Sequence, residues 1–309
     1  MYRPRLYVEG KYALDFRADR RGGLVRNEPA LTGEVYQPRS RHVFLVHGFN
    51  SVRQDARASY EYFRGRLSEH LRTIENDLIY VYWPADWAFQ AISPLFYRDM
   101  VGLAVYLGPK FAQALMKFSG PGGGECELVI VAHSLGCRLV LEALRAFRKT
   151  PAWHRFRITL ILLAAAIPVP LVASDPESRK ALGELVMTGV CFSAEDRVLD
   201  WAFRLGETRS GWFMPEAVGL RGAPARMWNS RLGMNLHHTQ YWQSRAVAAY
   251  VAARLGATIS GSLSTRPGAT TAGPPSGRLE LPSRELRHRP DSVLRELRER
   301  ANVVIPVAA

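Results

Sequence analysis

Leu128-Val129-Ile130-Val131-Ala132-His133-Ser134-Leu135-Gly136 is the stretch that decides how this chain folds. Its first five residues are apolar without a break, and Val129, Ile130 and Val131 are β-branched, as in a strand buried on both faces. Residues from Leu135 to Phe147 read as a helix. Between strand and helix stands Ser134, with Ala132 two places before it and Gly136 two places after. A serine on so tight a turn projects its hydroxyl above the sheet, and the small residues let strand and helix approach each other. The pattern makes Ser134 a candidate nucleophile, with a helix-capping serine as the alternative.

Outward from this stretch, apolar runs alternate with helical ones. Val43-Phe44-Leu45-Val46, Leu78-Ile79-Tyr80-Val81-Tyr82, residues 158–163 and Val190-Cys191-Phe192 read as strands. Helical stretches lie at about 54–71, 101–117 and 178–185, and an amphipathic helix at 241–255 closes the series. Continuous apolar strands separated by helices predict an α/β fold, with a mainly parallel sheet covered on both faces. Residues 5–8 and 12–16 suggest an antiparallel hairpin at one edge.

Three further pieces would complete a nucleophilic serine site. Cleavage of an ester or amide builds negative charge on the carbonyl oxygen, and backbone N–H groups must receive it. Leu135 follows the nucleophile and supplies one; Phe49, in the loop His47-Gly48-Phe49-Asn50, supplies the other. His47 reads as shaping that loop, not as the base. The acid belongs after the strand at 190–192, where Glu195, Asp196 and Asp200 are available. Asp196 has the position that fits, four residues past the strand. The base must return over the sheet from late in the chain, which leaves His237 and His238, ahead of the last helix. The order Ser–Asp–His suits a serine on this kind of elbow.

With these pieces assembled, the chain resembles the α/β-hydrolase superfamily over about residues 35–255. Within it, the chain is similar to a bacterial group with a VHGFN loop, a VAHSMG-like elbow, an S-x-x-D-x-x-L acid loop and a late H-[ST]-x-Y element. Val46-His47-Gly48-Phe49-Asn50, residues 131–136, Ser193 to Leu199 and His238-Thr239-Gln240-Tyr241 carry the likeness. The last match favours His238 over His237. The resemblance implies a serine hydrolase with a Ser134–His238–Asp196 triad and no metal or organic cofactor. The expected reaction is cleavage of a carboxylic ester or thioester through an acyl-enzyme. An amidase or acyltransferase on the same triad, or a non-catalytic binding module, are the alternatives.

Composition bounds the rest. The chain has 309 residues, of which 47% are hydrophobic and 22% charged. Its mean hydropathy of −0.12 excludes a mainly disordered chain and a polytopic membrane protein. Three cysteines, Cys126, Cys137 and Cys191, are too few and scattered for a disulfide framework or structural zinc site, and suit a cytoplasmic setting. No targeting or membrane-spanning segment is read, and peripheral membrane contact is left open. The net charge of +13 comes mostly from arginines spread along the chain, an ordinary biased surface that does not argue for nucleic acid. The expected partner is a small-molecule or lipid-like ester substrate. A hydrolase domain is expected over 1–256, a flexible Ser/Thr/Gly/Pro linker over 257–283 and a basic, partly helical tail over 284–309.

Overall fold

The computed structural model describes residues 12–15, 30–33, 39–49, 51, 53–71, 74, 77–85, 94–118, 123–208 and 213–261. The runs at 5–8 and 262–309 lie outside them. Eight strands form one sheet: β1 (Tyr12–Asp15), β2 (Ala30–Gly33), β3 (Arg41–Val46), β4 (Leu78–Tyr82), β5 (Cys126–His133), β6 (Phe156–Leu163), β7 (Met187–Ser193) and β8 (Ser230–Met234). The helices are α1 (Arg53–Ser68), α2 (Pro94–Leu115), α3 (Leu135–Phe147), α4 (Val169–Ala173), α5 (Pro176–Gly183), α6 (Phe203–Thr208), α7 (Val218–Arg221) and α8 (Arg245–Gly261).

The strand order is β2-β1-β4-β3-β5-β6-β7-β8. Every neighbouring pair is parallel except β1 and β2. The antiparallel edge therefore exists, but β1 pairs with Ala30–Gly33 and also lies parallel beside β4. β8 was not anticipated from sequence. Its burial alternates between half-buried and exposed, as befits an edge strand, and it offers no apolar run to recognise.

The connections place the site. From β3 the chain passes through α1 to β4 on one side, and from β4 through α2 to β5 on the other. Right-handed crossovers then put α1 and α2 on opposite faces of the sheet. α1 packs against α8, and α2 against α3. The reversal opens a crevice between the C-terminal ends of β3 and β5, which is where open α/β sheets receive ligands. The loop at His47 and the turn at Ser134 occupy those two strand ends.

Both faces of the sheet are sealed. α1 buries Ala56, Tyr60, Phe63 and Leu67, spaced four, three and four apart. Tyr60 and Phe63 meet Trp242 edge-on, at 5.5 and 5.1 Å between ring centroids. On the opposite face, Phe44 meets Phe111 and Phe118 in edge contacts of 6.2 and 5.0 Å. Each such fully buried aromatic contributes roughly 1.5–3 kcal/mol of apolar transfer.

The α2–α3 crossing is close because Gly108 has no side chain. A Cβ there would stand 2.5 Å from Glu142 Cβ and 2.9 Å from the Glu142 carbonyl carbon. Gly102, also in α2, is exposed with open space around it. Opposite outcomes are expected in thermal denaturation. Gly108→Ala should lower stability by about 1–3 kcal/mol through overpacking. Gly102→Ala should raise it by about 0.5–1 kcal/mol through helix propensity and a less flexible unfolded chain.

Candidate active site

Ser134 lies on the turn between β5 and α3 with φ 53° and ψ −126°, the left-handed side of backbone space. Such a conformation costs a non-glycine residue about 1–3 kcal/mol and persists only where surroundings enforce it. Three backbone hydrogen bonds do so. The Ser134 N–H donates to the Leu163 carbonyl at 2.9 Å, and its own carbonyl accepts from Cys137 at 3.0 Å and Ala166 at 3.2 Å. The neighbouring backbone also comes very close. A Cβ at Gly136 would stand 2.3 Å from the His47 carbonyl oxygen, and one at Gly48 would stand 2.7 Å from Ser134 Cβ. Both positions must therefore lack a side chain.

Ser134, His238 and Asp196 are brought together in one hydrogen-bonded row. Ser134 Oγ lies 2.8 Å from His238 Nε2, and His238 Nδ1 lies 2.7 Å from Asp196 Oδ2. The carboxylate can only accept, so the proton sits on His238 Nδ1, and Nε2 is left to accept from the serine hydroxyl. Asp196 is fully buried beyond the end of β7, and its Oδ1 accepts from the Leu199 N–H at 3.1 Å. Glu195 and Asp200 are exposed, and Asp200 faces Arg204 at 3.6 Å. His237 is exposed, with its backbone N–H bonded to Gln240 Oε1 at 2.8 Å, and it is the His238 ring that lies against Ser134 and Asp196.

The loop after β3 is fixed by His47. Its Nε2 accepts from the Trp83 N–H at 3.3 Å, and its Nδ1 donates to the Gly48 carbonyl at 2.9 Å. The Trp83 indole N–H reaches the His47 carbonyl at 2.8 Å. Phe49 follows, its ring edge-on to Tyr97 at 6.5 Å. Leu135 is the first residue of α3, so its N–H has no intrahelical acceptor. Among the aromatic residues of this region, Trp83 and Trp228 are buried as packing, and Phe213 is 90% exposed.

Two participants escaped the sequence reading. Ser193, at the end of β7, accepts through its hydroxyl from Glu195 N–H and Leu236 N–H, both at 3.1 Å, tying the acid loop to the segment before His238. His133, beside the nucleophile, has its Nε2 2.8 Å from the His238 carbonyl oxygen. Burial, and then the nearby His238, push its pKa down to about 3, so it is neutral. Single polar residues at strand ends carry no pattern that announces such a role.

Glu207 of α6 is fully buried in the helical layer above this end of the sheet, and neither carboxyl oxygen has a hydrogen-bond partner among the described residues. Burial raises its pKa to about 7, against the attraction of the Arg138 cation. Between pH of roughly 4.5 and 7 the folded chain keeps a proton that the unfolded chain has released, so stability falls as pH rises. Glu207→Gln removes that dependence. The variant should exceed the wild type by up to about 3 kcal/mol at pH 8 and match it near pH 4, read by urea denaturation at both values.

Neither a protein-family model nor a curated protein sequence matches the chain. Among solved structures it is similar to a Xanthomonas campestris pv. campestris protein assigned to the hydrolases of the alpha/beta superfamily, at TM-score 0.39 and 15% identity, over 70% of this chain and 98% of that one. It is also similar to acyl-protein thioesterase 2 of Zea mays, at TM-score 0.38 and 15% identity, over 73% and 96%. A serine hydrolase of Cycloclasticus zankles gives TM-score 0.36 and 11% identity, over 72% and 92%. The chain's own strand order, its strand–elbow–helix turn and the loop after β3 define the α/β-hydrolase fold.

Proposed function

We propose that the chain is a serine hydrolase that cleaves carboxylic esters or thioesters through an acyl-enzyme on Ser134. The observation that carries the reading is the unbroken row from Ser134 Oγ to His238 Nε2 at 2.8 Å and from His238 Nδ1 to Asp196 Oδ2 at 2.7 Å. A serine hydroxyl is a weak nucleophile until a base within hydrogen-bond reach removes its proton, and the base needs a third group to hold it.

In this reading Ser134 Oγ attacks the substrate carbonyl carbon as its proton passes to His238 Nε2. Asp196 holds the Nδ1–H tautomer and stabilises the imidazolium. The negative charge on the carbonyl oxygen is received by the backbone N–H groups of Leu135 and Phe49. One such donor contributes about 10²–10³-fold in rate. The carbon–oxygen or carbon–sulfur bond then breaks, and His238 returns its proton to the departing alcohol or thiol. Water adds to the acyl-enzyme by the same proton transfers, releasing the acid and restoring Ser134.

A fluorophosphonate probe tests this directly. Intact mass should show one adduct on the wild type and none on Ser134→Ala. Asp196→Asn should keep the fold and lower kcat on p-nitrophenyl butyrate by about 10⁴-fold, because the base is left in the wrong tautomer. A folded wild type that takes no adduct and turns over no ester would remove the reading.

A further inference from the structure

His133 has more contact with the site than its place in the elbow requires. It ends β5 immediately before Ser134, yet its ring is enclosed by the segment that carries the base. Its centroid lies 5.0 Å from that of His238 and 5.9 Å from both Tyr241 and Trp242. Its Nε2 meets the His238 backbone carbonyl at 2.8 Å. On the opposite side of the ring its Nδ1 faces the loop after β3: a Cβ built on Gly48 would stand 3.1 Å from it. One imidazole thus separates and joins the loop of Phe49 and the loop of His238, from the residue adjoining Ser134.

We infer that His133 is a positioning residue: its Nε2–H, donated to the His238 carbonyl, fixes the backbone from which the base reaches Ser134 and Asp196. The chemistry of the bond sets its state. A carbonyl oxygen can only accept, so Nε2 carries the proton and Nδ1, turned toward the Gly48 backbone, carries none. Burial within an aromatic enclosure keeps this ring neutral. A neutral ring places no second positive charge beside His238 when that residue becomes cationic during turnover. The His238 segment is otherwise short of anchors. It lies in irregular chain between β8 and the 3-10 turn at Tyr241–Gln243, held by Ser193 at Leu236, by the Gln240 side chain at the His237 N–H and by the Gln240 N–H at the His237 carbonyl. Misplacing a catalytic group by about 1 Å can cost on the order of 100-fold in rate.

The inference rests on the proposed reaction for its kinetic consequence, but its structural content can be read separately. His133→Phe keeps an aromatic ring in the enclosure and deletes the donor. His133→Gln keeps an amide N–H near the place of Nε2–H and deletes the ring. Two measurements are made on the folded full chain. The first is the low-field proton resonance of the His238 Nδ1–H bonded to Asp196. The second is hydrolysis of p-nitrophenyl butyrate, with labelling of Ser134 by the fluorophosphonate. His133→Phe should lose or broaden the resonance, lower kcat by about 10- to 100-fold with KM within about twofold, and slow labelling in parallel. His133→Gln should restore the resonance and most of kcat. An unchanged resonance and kcat in His133→Phe would overturn the inference, as would a His133→Gln variant that folds as well as His133→Phe and is equally impaired. If the wild type itself neither labels nor hydrolyses, the reaction fails, and the resonance still decides whether His133 holds His238.

Discussion

The site depends on one close approach. The loop after β3 and the turn after β5 come together so tightly that side chains are excluded at Gly48 and Gly136, the latter within 2.3 Å of the His47 carbonyl had it a Cβ. The approach follows from the parallel pairing of β3 with β5, which brings Val46 opposite Ala132 at the strand ends. Ser134 takes up the remaining strain in its own backbone, at φ 53°. Its three backbone hydrogen bonds reach β6, the segment after it and the first turn of α3, so the strained turn is enforced from several directions.

Three histidines then divide the work of holding the loops, and each has its tautomer set by an unambiguous partner. His47 accepts from Trp83 and donates to Gly48; His133 donates from Nε2 to a carbonyl; His238 donates from Nδ1 to a carboxylate. Only the last leaves an acceptor nitrogen toward Ser134. The division is one of hydrogen-bond directionality, because an imidazole with one ring nitrogen committed as donor has the other free only to accept.

Legibility in the sequence tracked how much of a pattern each element needed. β3 to β7 are buried nearly throughout, so their apolar runs stood out, and the elbow between β5 and α3 carried its own small-residue spacing. Strand ends and chain order placed Ser134 and Asp196 and narrowed the base to His237 or His238, the H-[ST]-x-Y likeness favoured His238, and the three side chains lie within hydrogen-bond distance. β2 and β8 were not seen: β2 has only four residues, and β8 alternates between half-buried and exposed positions, which leaves no apolar run. The contact of His133 with the His238 backbone could not be read, because the sequence of a strand does not say which later segment will fold over its end.

The burial of α6 departs from its hydrophobic pattern. Helical periodicity would turn Trp201, just before it, and Leu205 inward and leave Glu207 in water, yet Trp201 is 65% exposed and Glu207 is fully buried. The rotation is fixed by Gly206. A Cβ there would stand 2.5 Å from Tyr97 Cδ1, so only this helical face can meet α2 so closely. Phe203, three residues earlier, lies edge-on to the same ring at 6.0 Å. Glu207 adjoins Gly206 and is carried inward with it. Tyr97 in turn meets Phe49, so the fit that buries an unpartnered carboxylate also backs the loop proposed to receive the oxyanion. Local sequence rules give way where a scaffold must satisfy a site before it satisfies its own surface. In α6 the conflict was resolved by steric fit at a single glycine, a term that hydrophobic periodicity does not contain.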